Sequence, residues 1–212
     1  KNIGIKSIIK KLSIEGIEIT PEAISYKIAP LINAVGRIGD PKLIISLLTN
    51  KSEDSINKDI NECLALNNER KRVTELIEKE ALDIAQMQYS NGNKFLVLTK
   101  GHWHLGVIGI VAARIVEKFN LPTAIISEGN DGLYRGSIRS NNRIKVNQAL
   151  NECNEILIAH GGHAAAAGFT IKEENIPKFK ARINSIAIRE FKNFNLDKSI
   201  TPDACINLGD IN

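Results

Sequence analysis

The sequence predicts a mixed α/β fold: a helical opening segment, a long connecting helix, then a mixed β-sheet domain flanked by helices. Three observations carry this. Residues 93–172 alternate short apolar runs with helical patterns. Residues 52–89 repeat apolar positions at helical spacing, and neither proline nor glycine interrupts until Gly92. A hydrophobic content of 43% in 212 residues suffices for a sizeable core and one or two domains.

The opening segment, 1–51, reads as compact helices. "IGIKSIIKKL" sets an apolar face against lysines. "ITPEAISYKIAPLI" offers Thr20 as N-cap with Pro21 at the first helical position. "NAVGRIGDP" breaks the pattern and "KLIISLLT" resumes it. Ser52 then suits an N-cap, with Glu53 and Asp54 in the first turn. Apolar Ile56, Ile60, Cys63, Val73, Ile77, Ile84 and Met87 follow, around a middle, "NNERKR", that is polar on all sides. One helix over 52–92, about 55 Å long at ~1.5 Å per residue, bridges two lobes on this reading. Two helices with a turn near Asn67–Asn68 remain the alternative.

In the third part, 93–194, "KFLVLT", "PTAIIS", "LYRGSIRS" and "AAGFTI" read as strands, with "GNDG" as a turn. "GVIGIVAARIVEKF" is apolar on nearly every face and reads as a buried helix; "VNQALNECNEI" is also helical. An amphipathic helix over 173–194 turns Phe179, Ile183, Ile186 and Phe191 inward and Lys178, Lys180, Arg182, Arg189 and Lys192 outward, to a solvated face. The tail, 195–212, breaks away as the start of another unit.

The formal net charge of +4 permits a polyanionic partner without demonstrating one. Cys63, Cys153 and Cys205 are odd in number and lack CxxC spacing, so they read as reduced thiols in a cytosolic protein. No leader and no apolar run of membrane-spanning length is seen, and the expected location is cytoplasmic. Pattern runs up to both ends, so a fragment of something longer is expected.

In "LYRGSIRS", period two puts Arg135, Ser137 and Arg139 on one strand face and Tyr134, Gly136 and Ile138 on the other. Two guanidiniums flanking a hydroxyl suit a phosphate; an exposed strand face that happens to carry arginines fits equally. Gly136 suggests close packing behind. "GHWHLGVIGIVAAR" places His102, Trp103 and His104 before the buried helix, with Gly106 at its start. A helix N-terminus attracts anions, and His104 is positioned to donate there. The HxH spacing of His102 and His104 is also found in metal sites, but no carboxylate pair accompanies it. "HGGHAAAAG" offers Gly161 and Gly162 for positive φ and ligand-facing amides, with His163 as the one long polar group. A tight turn with a satisfied histidine is the alternative, against which the glycine pair directly before His163 favours ligand contact. Arg37, between two glycines in "NAVGRIGD", is either a phosphate contact or part of a capping bend. No Asp/His cluster for two metals, Walker loop, GxSxG or CxxC is present.

Taken together, "IAPLINAVGRIGD", "WHLGVIGIVAARIVEKF", "GSIRS" and "GGHAAAAGFTI" resemble the later part of the RecJ-type single-strand-specific exonucleases of the DHH phosphoesterase superfamily. The resemblance covers residues 21 to about 171. It implies the end of a DHH lobe at 1–51, the connecting helix at 52–92, a DHHA1 substrate-binding domain at 93–194 and the start of an OB-type domain at 195–212. It further implies Mn2+ or Mg2+ held by aspartate and histidine motifs of the catalytic lobe, which are not in this sequence, so that this stretch alone is inactive and binds no metal. The implied partner is single-stranded DNA, digested 5′ to 3′, with other DNA repair proteins as unidentified partners. By matching position, Ser137 and Arg139 hold phosphate, His163 faces the scissile phosphate, and Arg37 and His104 line the cleft. Leu31 stands where the family usually has Arg, and Leu105 where it has Pro; the first removes a strand contact. A relative acting on short oligonucleotides or cyclic dinucleotides, and a non-catalytic nucleic-acid-binding module, are the alternatives.

Overall fold

In the computed structural model, which describes residues 2–14, 19–141 and 143–192, a helical segment and a sheet domain share one long helix. The segment holds α1 (Ile3–Lys11), α2 (Pro21–Ala23), α3 (Ala29–Ile38) and α4 (Lys42–Thr49), with a wider helical turn over Ile24–Ile28 joining α2 to α3. Thr20 caps α2 as expected: its hydroxyl accepts from the Ala23 amide at 3.2 Å. Pro21 occupies the first turn, where no amide is needed.

α5 (Glu53–Ser90) is a single helix of 38 residues, not two. Ser52 caps it and Glu53 and Asp54 stand in its first turn. Its burial explains its odd composition. Ile56, Ile60 and Cys63 join a core with Ile8, Leu31, Val35 and Leu47, whereas Ile77, Ala81 and Ala85 join the core of the sheet domain. Between Cys63 and Thr74 no α5 residue is fully buried. The polar "NNERKR" run is thus the crossing between two cores. Leu31 is 1% exposed within the first core, so position 31 is an apolar packing position here and offers no contact to a strand.

The sheet has the order β1-β2-β3-β5-β4: β1 (Leu96–Thr99), β2 (Thr123–Glu128), β3 (Tyr134–Arg139), β4 (Ala159–Gly162) and β5 (Ala166–Ile171). β1 and β2 are parallel, joined through α6 (Ile108–Phe119), and all other pairs are antiparallel. Gly136 on β3 faces Phe169 of β5; a β-carbon there would lie 2.1 Å from the ring. Phe169 in turn packs on Phe179 of α8 (Ile176–Phe191), with ring centroids 4.7 Å apart. Phe179, Ile183, Ile186 and Phe191 are buried as the amphipathic pattern predicts. α7 (Val146–Asn151) and short turns complete this layer.

β1 is an edge strand, and a side chain closes its edge. The buried Gln88 amide of α5 donates to Val97 O at 2.7 Å, and its oxygen accepts from Val97 N at 3.0 Å. Asn184 of α8 accepts from the amides of Lys94 and Phe95 at 2.8 and 3.2 Å. These two amides do for β1 what a neighbouring strand would do.

Cys63 and Cys153 are buried free thiols, each pushed up to about 11 chiefly by that burial, hence protonated and unreactive at neutral pH. Cys205 and the OB-type unit expected at 195–212 lie outside the described residues.

Candidate functional site

The expected alternation on β3 holds: Tyr134, Gly136 and Ile138 are buried, and Arg135, Ser137 and Arg139 are half-buried on the other face. α6 packs on that other face. Its first turn comes so close that a β-carbon on Gly109 would lie 2.9 Å from both Ser137 Oγ and Arg139 Nη2. Glycine leaves room where the helix N-terminus meets the two polar side chains, which a larger residue would have to displace. Arg139 Nη1 donates to Ser137 Oγ at 3.1 Å and to Ile138 O at 2.8 Å, which fixes the guanidinium against the hydroxyl.

Arg37, from the end of α3, reaches the loop just before α6, where its guanidinium donates to Gly106 O at 3.0 Å. Burial, and then the charge of Arg37, hold the Arg139 guanidinium below its ordinary value. Arg70, in the middle of α5, is lowered by burial and by the charges of Arg37 and Arg114. The Arg70 Nε atom is buried without a hydrogen-bond partner. Arg114 is ion-paired with Glu78, so Arg37 is the charge that Arg70 and Arg139 have in common. Guanidiniums beside a hydroxyl at a helix N-terminus suit an anion with several oxygens. Arg70 was not singled out by the sequence. Its run is polar on every side, and only α3 and α6 decide which side faces the junction.

The expected residues divide as follows. Arg37, Ser137 and Arg139 come together. Arg135 shares their strand face but not their site. Its guanidinium makes a two-pronged ion pair with Asp131, at 2.8 and 2.7 Å, across the turn before β3. That pairing holds the Asp131 carboxyl well below the usual carboxylate range. Gly106 lies two residues before α6 begins, not at its start. His104 Nδ1 accepts from the Gly106 amide at 3.1 Å, so this ring nitrogen is an acceptor within its own turn. His102 instead pairs with Glu80 at 3.2 Å. The two histidines stand in a turn with separate partners. Among the described residues no group of three or more His, Cys, Asp or Glu is placed to hold a metal ion. A junction lined by arginines does not fit a divalent cation either.

Beyond β3 the same sheet face is open. Cross-strand rows place Gly168 and Gly161 beside Ser137, and Thr170 and Ala159 beside Arg135. β4 itself was read as a turn; it has no apolar alternation, and pairing with β5 makes it a strand. Of the glycine pair only Gly162 has positive φ, at +143°, and a β-carbon there would lie 2.4 Å from Ala166 O. Gly161 does not, and a β-carbon on it would meet nothing within 4 Å. His163 is exposed at the turn between β4 and β5, and its amide donates to Ala166 O at 2.8 Å. The alanines of that turn are held by backbone: Ser140 N donates to Ala165 O at 2.9 Å and Val146 N to Ala164 O at 3.0 Å.

This architecture, a mixed sheet behind a long helix, matches a known domain class: residues 92–189 fit the DHHA1 domain. The similarity extends past that domain. The chain is 34% identical to the single-stranded-DNA-specific exonuclease RecJ of Bacillus subtilis over 87% of its own length, and 32% identical to that of Thermus thermophilus over 84%. It spans 24% and 26% of those two proteins, about a quarter of each. The crystal structure of the Thermus thermophilus RecJ in complex with Mn2+ superposes with a TM-score of 0.78 at 30% identity, covering 88% of this chain and 27% of that one. A structure of exonuclease RecJ bound to manganese gives 0.75 at 28% identity, covering 91% and 48%. The chain belongs to the RecJ-type, DHHA1-containing proteins.

Proposed function

We propose that this chain is the DNA-holding part of a single-strand-specific 5′-to-3′ exonuclease. The observation that carries the reading is the packing of Arg139 and Ser137 against the first turn of α6, with Arg37 bonded to Gly106 O just before that helix. Two guanidiniums and a hydroxyl at a helix N-terminus, with Arg70 on the neighbouring stretch of α5, fit a terminal or bridging phosphate better than any neutral ligand. The names of its relatives supply the strand and the chemistry.

On this reading 1–51 belongs to a DHH lobe, 52–92 connects, and 93–194 is the substrate-binding domain. Hydrolysis draws on Mn2+ or Mg2+ held by carboxylates and histidines outside this stretch; what its own residues do is hold phosphate oxygens and orient the strand. His163, at the exposed turn beside the open shelf, faces the scissile phosphate. His104 lines the cleft beside Arg37 and Gly106.

The test is a titration of the 212-residue protein with a labelled, 5′-phosphorylated single strand, with a duplex and a cyclic dinucleotide as competitors. Single-strand binding that weakens with salt and with Arg139→Ala is expected. Preference for the cyclic dinucleotide would point instead to a small-substrate phosphodiesterase. Incubation with the strand and Mn2+ should leave it intact; sustained metal-dependent cleavage by this stretch alone contradicts the division of labour.

A further inference from the structure

One carboxylate collects three donors from the loop that leads into α6. Glu80, on α5, accepts from Trp103 Nε1 at 2.9 Å, from Lys100 Nζ at 3.1 Å and from His102 Nε2 at 3.2 Å. The Trp103 and Lys100 bonds hold the Glu80 carboxyl below its ordinary value. On the sheet side the loop is gripped again: the buried Ser127 hydroxyl lies 2.6 Å from Trp103 O and 3.0 Å from Gly101 O. Trp103 is 2% exposed, so the indole is the plug between these two grips. Three residues further on, Gly106 O accepts from Arg37 Nη1 at 3.0 Å. Gly109 then brings the first turn of α6 against Ser137 and Arg139.

We propose that Glu80 is a positioning residue for the arginine site. Through Trp103 it fixes where the loop delivers Gly106 to Arg37, and hence where the α6 N-terminus stands relative to Ser137 and Arg139. It touches none of the phosphate-holding groups itself. Side chains that hold a polyanion act only when their supports hold them in place. The inference rests on the phosphate-holding reading above.

Its sign separates it from plain electrostatics. Deleting a negative charge near a site for a polyanion, by itself, raises affinity. A positioning role has the opposite sign. In the 212-residue protein, Glu80→Ala should weaken binding of a 5′-phosphorylated oligothymidylate by about tenfold, as loss of a charge-assisted bond does. Glu80→Gln retains an acceptor for the indole and should lose less than about threefold by the same reasoning. In a Trp103→Phe background the Glu80→Ala loss should shrink, because the route through the indole is already cut. Amide hydrogen exchange supplies a readout that needs no ligand: Trp103–Val107 should exchange faster in Glu80→Ala while β1 stays protected. Oligonucleotide affinity at or above wild type in Glu80→Ala overturns the proposal, as does unchanged exchange at Trp103–Val107. Failure of the wild-type protein to bind the oligonucleotide removes the phosphate reading, and the exchange comparison still decides whether Glu80 sets the loop.

Discussion

Gly106 and the backbone of Arg37 interlock: a β-carbon on Gly106 would fall 1.9 Å from the Arg37 carbonyl oxygen, while the Arg37 guanidinium donates back to Gly106 O. The end of α3 is thereby joined to the loop before α6, and Ile38 and Leu105 extend the contact into the core of the sheet domain. The arginine site is assembled across this joint, since Arg37 comes from one side and Ser137 and Arg139 from the other.

Gly106→Ala forces backbone away from backbone, which no rotamer change can relieve. It should cost about 1–3 kcal/mol, as overpacking does. A lower denaturant midpoint is expected, together with an increased radius of gyration by small-angle scattering. A variant with both values unchanged would show that the joint does not depend on this approach.

The arginines should sort by partner rather than by sequence spacing. Arg139→Ala and Arg70→Ala each remove a charged donor and should weaken single-strand binding by about ten- to a hundredfold, or ~1.5–3 kcal/mol. Each lost phosphate contact should also lower the salt slope by about 0.7. Ser137→Ala should be milder. Arg135→Ala should leave affinity near wild type because Asp131 already occupies that guanidinium. If Arg135→Ala proves as damaging as Arg139→Ala, the ion pair is not what directs it.

That contrast shows what the sequence could reveal. Strand alternation told which residues of β3 share a face, because side-chain direction in a strand is local. It could not tell that Asp131, across a turn, captures one of them. The caps Thr20 and Ser52 were legible for the same local reason. Arg70 was not, because the direction that matters on a helix polar all round is set by distant elements. β4 was missed because glycine-rich segments carry no periodic signal, and only pairing with β5 defines it.

Gln88 should matter to stability out of proportion to its type. Replacing it with Ala leaves Val97 N and O at a buried strand edge without partners. Each unsatisfied group costs about 1–3 kcal/mol, so a loss of about 2 kcal/mol or more is expected in a urea melt. Gln88→Glu should fare little better, keeping an acceptor for Val97 N but no donor for Val97 O. Melts superimposable on wild type would mean that water replaces the side chain.

Acid should loosen the Trp103 loop before the rest of the fold, because a protonated Glu80 keeps an acceptor for the indole but loses its ion pairs with Lys100 and His102. The folded Glu80 carboxyl titrates below its ordinary value of 4.5. Its contribution is therefore complete above about 4.5 and lost as pH falls through the lower folded value. Trp103 is the one tryptophan of the chain, so its emission reports on this loop. A red shift below pH ~4.5 is expected on this linkage, at a pH where far-ultraviolet circular dichroism is still native. Glu80→Gln should abolish that early transition, and its persistence in Glu80→Gln would assign it to another group.

The glycine pair of β4 gives a test in which stability and binding should part. Gly162 has a φ of +143° and no room for a β-carbon, so Gly162→Ala should destabilise the protein, by about 1–3 kcal/mol for the strain alone. Gly161 is free of both constraints. Gly161→Ala should leave the melting temperature unchanged or raise it slightly, since alanine restricts the unfolded chain by about 0.4–1 kcal/mol. Its row partner Gly168 meets only Gly136 O, at an ordinary 3.6 Å. The fold therefore gives no reason for glycine at 161, and little at 168. A strand lying across this shelf beside Ser137 gives one, because side chains at both positions would stand where its backbone passes. Gly161→Ala combined with Gly168→Ala should then lower single-strand affinity while the protein melts as wild type does. Undiminished affinity in that double variant would mean that the strand takes another path away from the arginine site.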